Sequence, residues 1–362
     1  MVKPKSIKKD SLLDDDSIDE LGEDEAIPFE YSVTSYGADY TVEGIVSKLR
    51  KGTVFVPHFQ REYVWNITQA SRFIESLLLG LPVPGIFLSK ESATERLLIV
   101  DGQQRLKSLL FFYDGIFKGT EFSLQETQSK FKGKTYKTLN PEDRLRLDDS
   151  VLHATIVKQE RPSEDDSSIY HVFERLNTGG TPLYPQEIRA CIYHGDFNDY
   201  LIGLRNNPSW KIIYGTMSPR MKDAELILRF FALYFREADY KRPMKKFLNS
   251  YMSKNRNLKF NSKEVLDKKF NNSISLMAKT IGKKAFRIEN GPINAAVFDA
   301  VMIGLTQRLD RGIIENNKMF ESYYYKLLQD KEFLDACQTG TSDEGKVTKR
   351  IRLATEGFIS VD

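Results

Sequence analysis

The hydrophobic pattern of this chain changes character once, near Arg161, and that change limits the folds open to it. Before it, short apolar runs that suit strands, at 53–56, 85–88, 96–100 and 151–157, alternate with stretches of helical spacing. After it, the segments 169–176, 185–193, 223–235, 265–280, 294–309 and 317–337 all carry apolar residues at helical spacing. The expected fold class is therefore α+β in an N-terminal domain over 31–160, followed by a mainly α-helical domain over 161–362. Residues 1–30 are acidic and poor in apolar side chains and read as a tail, either simply solvated or lying over a basic groove as a mimic of DNA. A length of 362 residues accommodates two domains.

Local signals place several boundaries. Thr41 can cap a helix that Gly52 ends, and Asn66 with Gln69 three residues on has the form of a capping box. Gly80 and Pro82 stop the helix that follows, Asp114-Gly115 closes the next one, and Asn140-Pro141 opens a short third.

Bulk composition excludes several function classes. The 53 basic and 50 acidic residues nearly balance, so nucleic-acid binding has to come from a local patch. The cysteines, Cys191 and Cys337, are distant in sequence, and the histidines at 58, 153, 171 and 194 form no HExxH or paired cluster. Neither a disulfide framework nor a transition-metal site is expected. The N-terminus lacks the apolar run of a signal peptide and no stretch reaches membrane-spanning length, so a cytoplasmic protein with no membrane partner is expected.

The segment Leu97-Leu98-Ile99-Val100-Asp101-Gly102-Gln103-Gln104-Arg105-Leu106 reads as a strand, a tight turn and a helix start. The first amides of a helix have no intrahelical partner and carry the positive end of its dipole, which suits an anion. Gly102 lets a phosphate approach the backbone, Arg105 can pair with two phosphate oxygens, and Gln103 and Gln104 add neutral donors and acceptors. Asp101 fits beside a phosphate if Mg²⁺ lies between them or if it orients water, and it fits equally as a helix cap. The plainest alternative is an ordinary Asp-Gly turn with a surface arginine.

Two more segments carry candidate residues. In Pro57-His58-Phe59-Gln60-Arg61-Glu62-Tyr63-Val64-Trp65, the aromatics can stack a base or fill the core, and Gln60 and Arg61 can meet a phosphate or an internal acid. In Phe173-Glu174-Arg175-Leu176-Asn177-Thr178-Gly179-Gly180-Thr181-Pro182-Leu183, a helix ends at Asn177. There Arg175 and Asn177 either complete a phosphate or sugar site or serve the helix terminus. The stretch at 340–346 fits the first part of a P-loop, but Val347 stands where Ser or Thr should hold Mg²⁺ and no strand precedes it, so it is set aside. Lys241-Arg242-Pro243-Met244-Lys245-Lys246, with Lys254, Arg256 and Lys259, suits a nucleic-acid backbone or a solvated helical face, the latter favoured by the interleaved Tyr and Phe.

Taken together, Phe59-Gln60-Arg61, Asp101-Gly102-Gln103-Gln104-Arg105 and Phe173 to Asn177, in that order, resemble the DGQQR-motif ParB/sulfiredoxin-like family. This family forms the N-terminal domain of GmrSD-type modification-dependent restriction enzymes. The motifs cover roughly 51–191. The resemblance implies a ParB-like α+β fold, an NTP with Mg²⁺ as ligand, NTP hydrolysis, and defence against foreign DNA. It assigns catalytic roles to Asp101, Gln104, Arg105 and Arg175, with Asp101 as the possible Mg²⁺ ligand, and nucleotide or phosphate contacts to Gln60, Arg61, Gly102, Gln103 and Asn177. Fuller members of the family carry a His-centred HNH nuclease domain, whereas no histidine follows His194 here, so the expectation is that either a nuclease partner protein supplies cleavage or this protein only senses and signals. The rival expectations are a non-enzymatic ParB-like DNA-binding module and a Mg²⁺-dependent nuclease.

Overall fold

The structure is a computed structural model that describes residues 32–56, 63–91, 94–161, 167–176 and 183–361. The tail at 1–30, the Gln60 and Arg61 positions, and Asn177 with the loop after it lie outside the described residues. The chain divides into two compact units, one over Phe29–Ile192 and a second that contains Tyr193–Asp362. The helical region was expected to begin at 161, but the two helices at Ser167–Leu176 and Pro185–Ile192 group with the sheet.

In the first unit the strands are β1 (Ser32–Thr41), β2 (Val54–Phe55), β3 (Ile86–Lys90), β4 (Leu97–Asp101), the small hairpin β5 (Ile116–Phe117) and β6 (Thr120–Glu121), and β7 (Val151–Arg161). The main sheet has the order β1-β7-β3-β4-β2. β7 runs antiparallel to β1 and parallel to β3, and β4 runs antiparallel to β3 and parallel to β2. This mixture of directions brings the C-terminal ends of β2 and β4 and the N-terminal ends of β3 and β7 to one end of the sheet.

Period-two alternation decides which face of each strand is covered. Ile86, Leu88, Ile99, Leu152, Ala154 and Ile156 face a core completed by α1 (Val42–Arg50), α2 (Ile67–Leu78), α3 (Gln103–Asp114) and α4 (Pro141–Asp149). Leu98 and Val100 alternate with these and are buried too. Helix α5 (Ser167–Leu176), with Ile169, Tyr170 and Phe173 buried, packs against β4 and β7, and α6 (Pro185–Ile192) packs on α5. Burial of β4 on both sides explains why 97–100 is a continuous apolar run.

The second unit is helical: α7 (Asp196–Leu204), α8 (Pro208–Tyr214), α9 (Lys222–Arg236), α10 (Met244–Asn255), α11 (Lys263–Thr280), α12 (Ala295–Leu309), α13 (Asn317–Leu327), α14 (Lys331–Gln338) and α15 (Glu344–Ile359). The chain is thus mixed α+β first and helical after, as its periodicity predicts. One expected helix, 317–337, is two. Asp330 accepts a hydrogen bond from the Phe333 amide and starts α14 afresh, a local cap that overrides the continuous apolar spacing.

α12 is the axis of this unit, buried almost all round, with α9, α11, α14 and α15 against it. Gly304 allows the tightest contact: a Cβ there would lie 2.8 Å from the Ala354 carbonyl carbon of α15. Asp299, fully buried, accepts from Arg229 Nη2 at 2.7 Å and from Arg350 Nη2 at 3.1 Å, and Arg350 Nη1 also reaches the Thr341 carbonyl at 2.5 Å. Burial holds the Arg350 guanidinium below its ordinary pKa, against the attraction of Asp299. Cys191 and Cys337 are both buried free thiols. Among the described residues no helix is long and apolar enough to cross a membrane.

Candidate functional site

The turn between β4 and α3 lies at the end of the sheet where β2 ends and β3 begins. Asp101 is the last residue of β4 and Gly102 is the N-cap of α3, with φ +100° and ψ 6°. That left-handed conformation favours glycine, and the space around it demands one. A Cβ on Gly102 would stand 2.5 Å from Ile86 Cγ2. On this side the close approach that glycine permits is to the β3 side chain, and Gly102 is buried against its own sheet.

No side chain caps α3, so Asp101 is not a cap. Its Oδ2 accepts instead from Arg105 Nη2 at 2.6 Å, an i,i+4 ion pair. Arg105 Nη1 donates to the Pro84 carbonyl at 3.0 Å. The arginine side chain is 12 % exposed and the Asp101 side chain 53 %. Arg105 is thus held from two sides, and Asp101 keeps Oδ1 without a hydrogen-bond partner among the described residues. The reach of Arg105 toward a ligand is shorter than its sequence position implies. Its guanidinium orients Asp101.

Gln104 serves the neighbouring loop. Its Oε1 accepts from the Val64 amide at 2.9 Å and the Trp65 amide at 3.2 Å. Ser108, one turn on, donates to the Gln104 carbonyl and bonds the Tyr63 hydroxyl at 2.7 Å. The Tyr63 ring packs edge-on against Phe111 and Phe117, and burial raises its pKa above the ordinary value, against the Ser108 hydrogen bond. Trp65 packs edge-on to Phe73. Tyr63 and Trp65 are therefore core-facing. Of the described residues on either side of 57–62, Val54 and Phe55 pair with Leu97 and Leu98 of β4, and the Val64 amide donates to Gln104.

The backbone N–H groups of Gln104 and Arg105 have no hydrogen-bond partner among the described residues, whereas Leu106 donates to the Gly102 carbonyl at 2.9 Å and begins the helical ladder. Gln103 is buried. Arg175 is exposed in the last turn of α5, the helix that packs on β4. Among the described residues no group of three or more His, Cys, Asp or Glu side chains gathers as a metal cluster. Asp101 Oδ1 is the one carboxylate oxygen at the turn that could hold a Mg²⁺ ion, a cation that can be bound by a single protein carboxylate.

Sequence reasoning missed Pro84 and Ile86. They form the floor under the turn, and only the antiparallel pairing of Phe87 with Asp101 brings them there. The nearest signal is the Pro82-Val83-Pro84-Gly85 run, which marks a fixed entry to β3 without showing which strand it faces.

No curated protein matches the chain. Residues 42–194, which take in the turn, α5 and α6, match the family model of the GmrSD restriction endonuclease N-terminal domain.

Proposed function

We propose that the first unit is a nucleotide-binding, NTP-hydrolysing module of a restriction-like DNA-defence system. The observation that carries this reading is the β4–α3 turn, where two unpaired helix-start amides lie next to an exposed carboxylate whose orientation is fixed by Arg105. Phosphate oxygens accept from the Gln104 and Arg105 amides. Asp101 would hold a Mg²⁺ ion, which when bound would supply neutralising charge to the phosphates. Arg175, on the helix against β4, offsets charge on the transferred phosphoryl group, and Arg61 and Asn177 contact the nucleotide. Water attacks the γ-phosphorus, the bond to the β–γ bridging oxygen breaks, the nucleoside diphosphate leaves with that bond's electron pair, and the water's proton passes to the departing inorganic phosphate. The match of 42–194 to a restriction-enzyme domain supports DNA as a partner and a nuclease acting with this module.

Phosphate release from ATP and GTP with Mg²⁺ tests the reading. Turnover that falls at least a hundredfold in Asp101→Asn supports it. No turnover in the wild type, together with salt-sensitive DNA binding that needs the same turn, makes this a DNA-binding module instead. Plasmid nicking lost in Asp101→Asn makes it a nuclease.

A further inference from the structure

The second unit contains a cavity of about 450 Å³ lined by Arg236, Lys241, Arg242, Lys246, Lys254 and Phe260, with Asp239 as its one acid. The helix period builds this wall. Lys246, Ser250 and Lys254 recur every fourth residue along one face of α10, while Phe247 and Tyr251, one position on, turn into the core. Asp239 is taken by Arg236 in an ion pair. Among the described residues no carboxylate pairs with the side chains of Lys241, Arg242, Lys246 and Lys254, although Glu344 accepts from the Arg242 backbone amide at 3.1 Å. Four cationic side chains around one cavity repel each other, and the field they make favours an anion.

The aromatic residue at the mouth narrows the class of anion. Phe260 is 44 % exposed, yet its loop is pinned: the Tyr251 hydroxyl donates to Asn261 Oδ1 at 2.9 Å, and the Asn261 amide donates to Asn255 Oδ1 at 3.0 Å. The Arg236 guanidinium lies 5.2 Å from the centre of the Phe260 ring. A fixed, water-facing ring beside an arginine plane is a stacking platform, and phosphate-seeking lysines lie next to it. We propose that this cavity binds a nucleoside phosphate, free or as one unit of a single nucleic-acid strand. The base rests on Phe260 and the phosphate is held by Lys241, Arg242, Lys246 and Lys254. The cavity volume is in the range of small-ligand sites. The site lies wholly within the helical unit and shares no residue with the β4–α3 turn.

The test is fluorescence anisotropy of the full chain with three probes: labelled oligo(dT) of twelve nucleotides, labelled AMP, and inorganic tripolyphosphate as competitor. The variants are Lys246→Glu/Lys254→Glu and Phe260→Ala, all at exposed positions, with Arg105→Ala as the control at the other site and circular dichroism to verify folding. The double variant is expected to bind at least tenfold more weakly and to lower the salt slope by about 1.4, from ~0.7 per single-strand phosphate contact. Phe260→Ala is expected to lose roughly tenfold toward the oligonucleotide and AMP but nothing toward tripolyphosphate. Binding of both labelled probes identifies a strand, and binding of AMP alone identifies a free nucleotide. Unchanged affinity and salt slope in the folded double variant overturn the site. A Phe260→Ala chain that binds both probes as tightly as wild type overturns the stacking.

Discussion

Arg105 shows how far a side chain's position along the chain is from its role in space. Four residues separate it from Asp101, one helical turn, and that spacing was enough for the two to pair with each other. Gly102 was legible as the residue that makes the turn, because Asp-Gly between an apolar strand and an amphipathic helix has few other uses. The reason no other residue fits was not legible, since Ile86 comes from a strand that precedes it by sixteen positions and reaches it only through the sheet. Gly102→Ala is expected to destabilise the first unit by about 2–4 kcal/mol, from a positive φ and a methyl pressed into Ile86 together. Urea denaturation checks this. A midpoint equal to wild type shows that the turn relaxes freely.

Elements whose ends are written in local chemistry were the easiest to find. Thr41 accepts from the Gly44 amide at 3.1 Å and starts α1, and Asn66 and Gln69 form both halves of the capping box of α2. β1 escaped detection, because Ser-Val-Thr-Ser-Tyr-Gly-Ala-Asp-Tyr-Thr has almost no apolar alternation and its pairing with β7 is set by a partner more than a hundred residues away. Helices α7, α8 and α15 escaped for a related reason: they are short or charged, and packing on α9, α11 and α12 rather than their own spacing stabilises them. Where α3 meets α4, Tyr113 and Tyr136 stack at 4.2 Å and both donate to the Asp148 carboxylate. Burial first, then that carboxylate, raises the Tyr136 pKa to about 12 and the Tyr113 pKa higher still. An acid whose folded pKa is raised contributes stability that is complete below its ordinary pKa near 10. That stability is lost as pH climbs through the folded value. The first unit is therefore expected to weaken progressively above pH 10. In ultraviolet titration, Asp148→Asn is expected to bring two late-ionising tyrosines back toward the ordinary range. A number of late-ionising tyrosines that Asp148→Asn leaves unchanged contradicts the pairing.

At the scale of the whole molecule, the two units rest on different physics. The first is a sheet covered by helices, and its apolar runs announced it. The second is organised around a charged centre that no pattern in the sequence displayed, since Arg229, Asp299 and Arg350 sit on three helices and look like ordinary surface charges in the linear chain. Removing the shared acid leaves two buried guanidinium groups without their counter-charge. Asp299→Ala is expected to cost about 3–5 kcal/mol in the helical unit, seen as an early thermal transition, whereas a change below 1 kcal/mol shows that the arginines find water.

The free amides of the turn were legible, because a strand, a glycine and a helix start in that order leave the first helical N–H groups without intrahelical partners, and the Gln104 and Arg105 amides have none among the described residues. The pairing of Arg105 with both Asp101 and the Pro84 carbonyl was not, because it depends on the segment that leads into β3. The most direct test is isothermal calorimetry of Mg²⁺ with a non-hydrolysable NTP, comparing wild type, Asp101→Asn and Arg105→Ala. Both variants are expected to lose at least tenfold in affinity with Mg²⁺ present, and to differ little from wild type when Mg²⁺ is withheld. Equal affinity of all three proteins in Mg²⁺ contradicts the account.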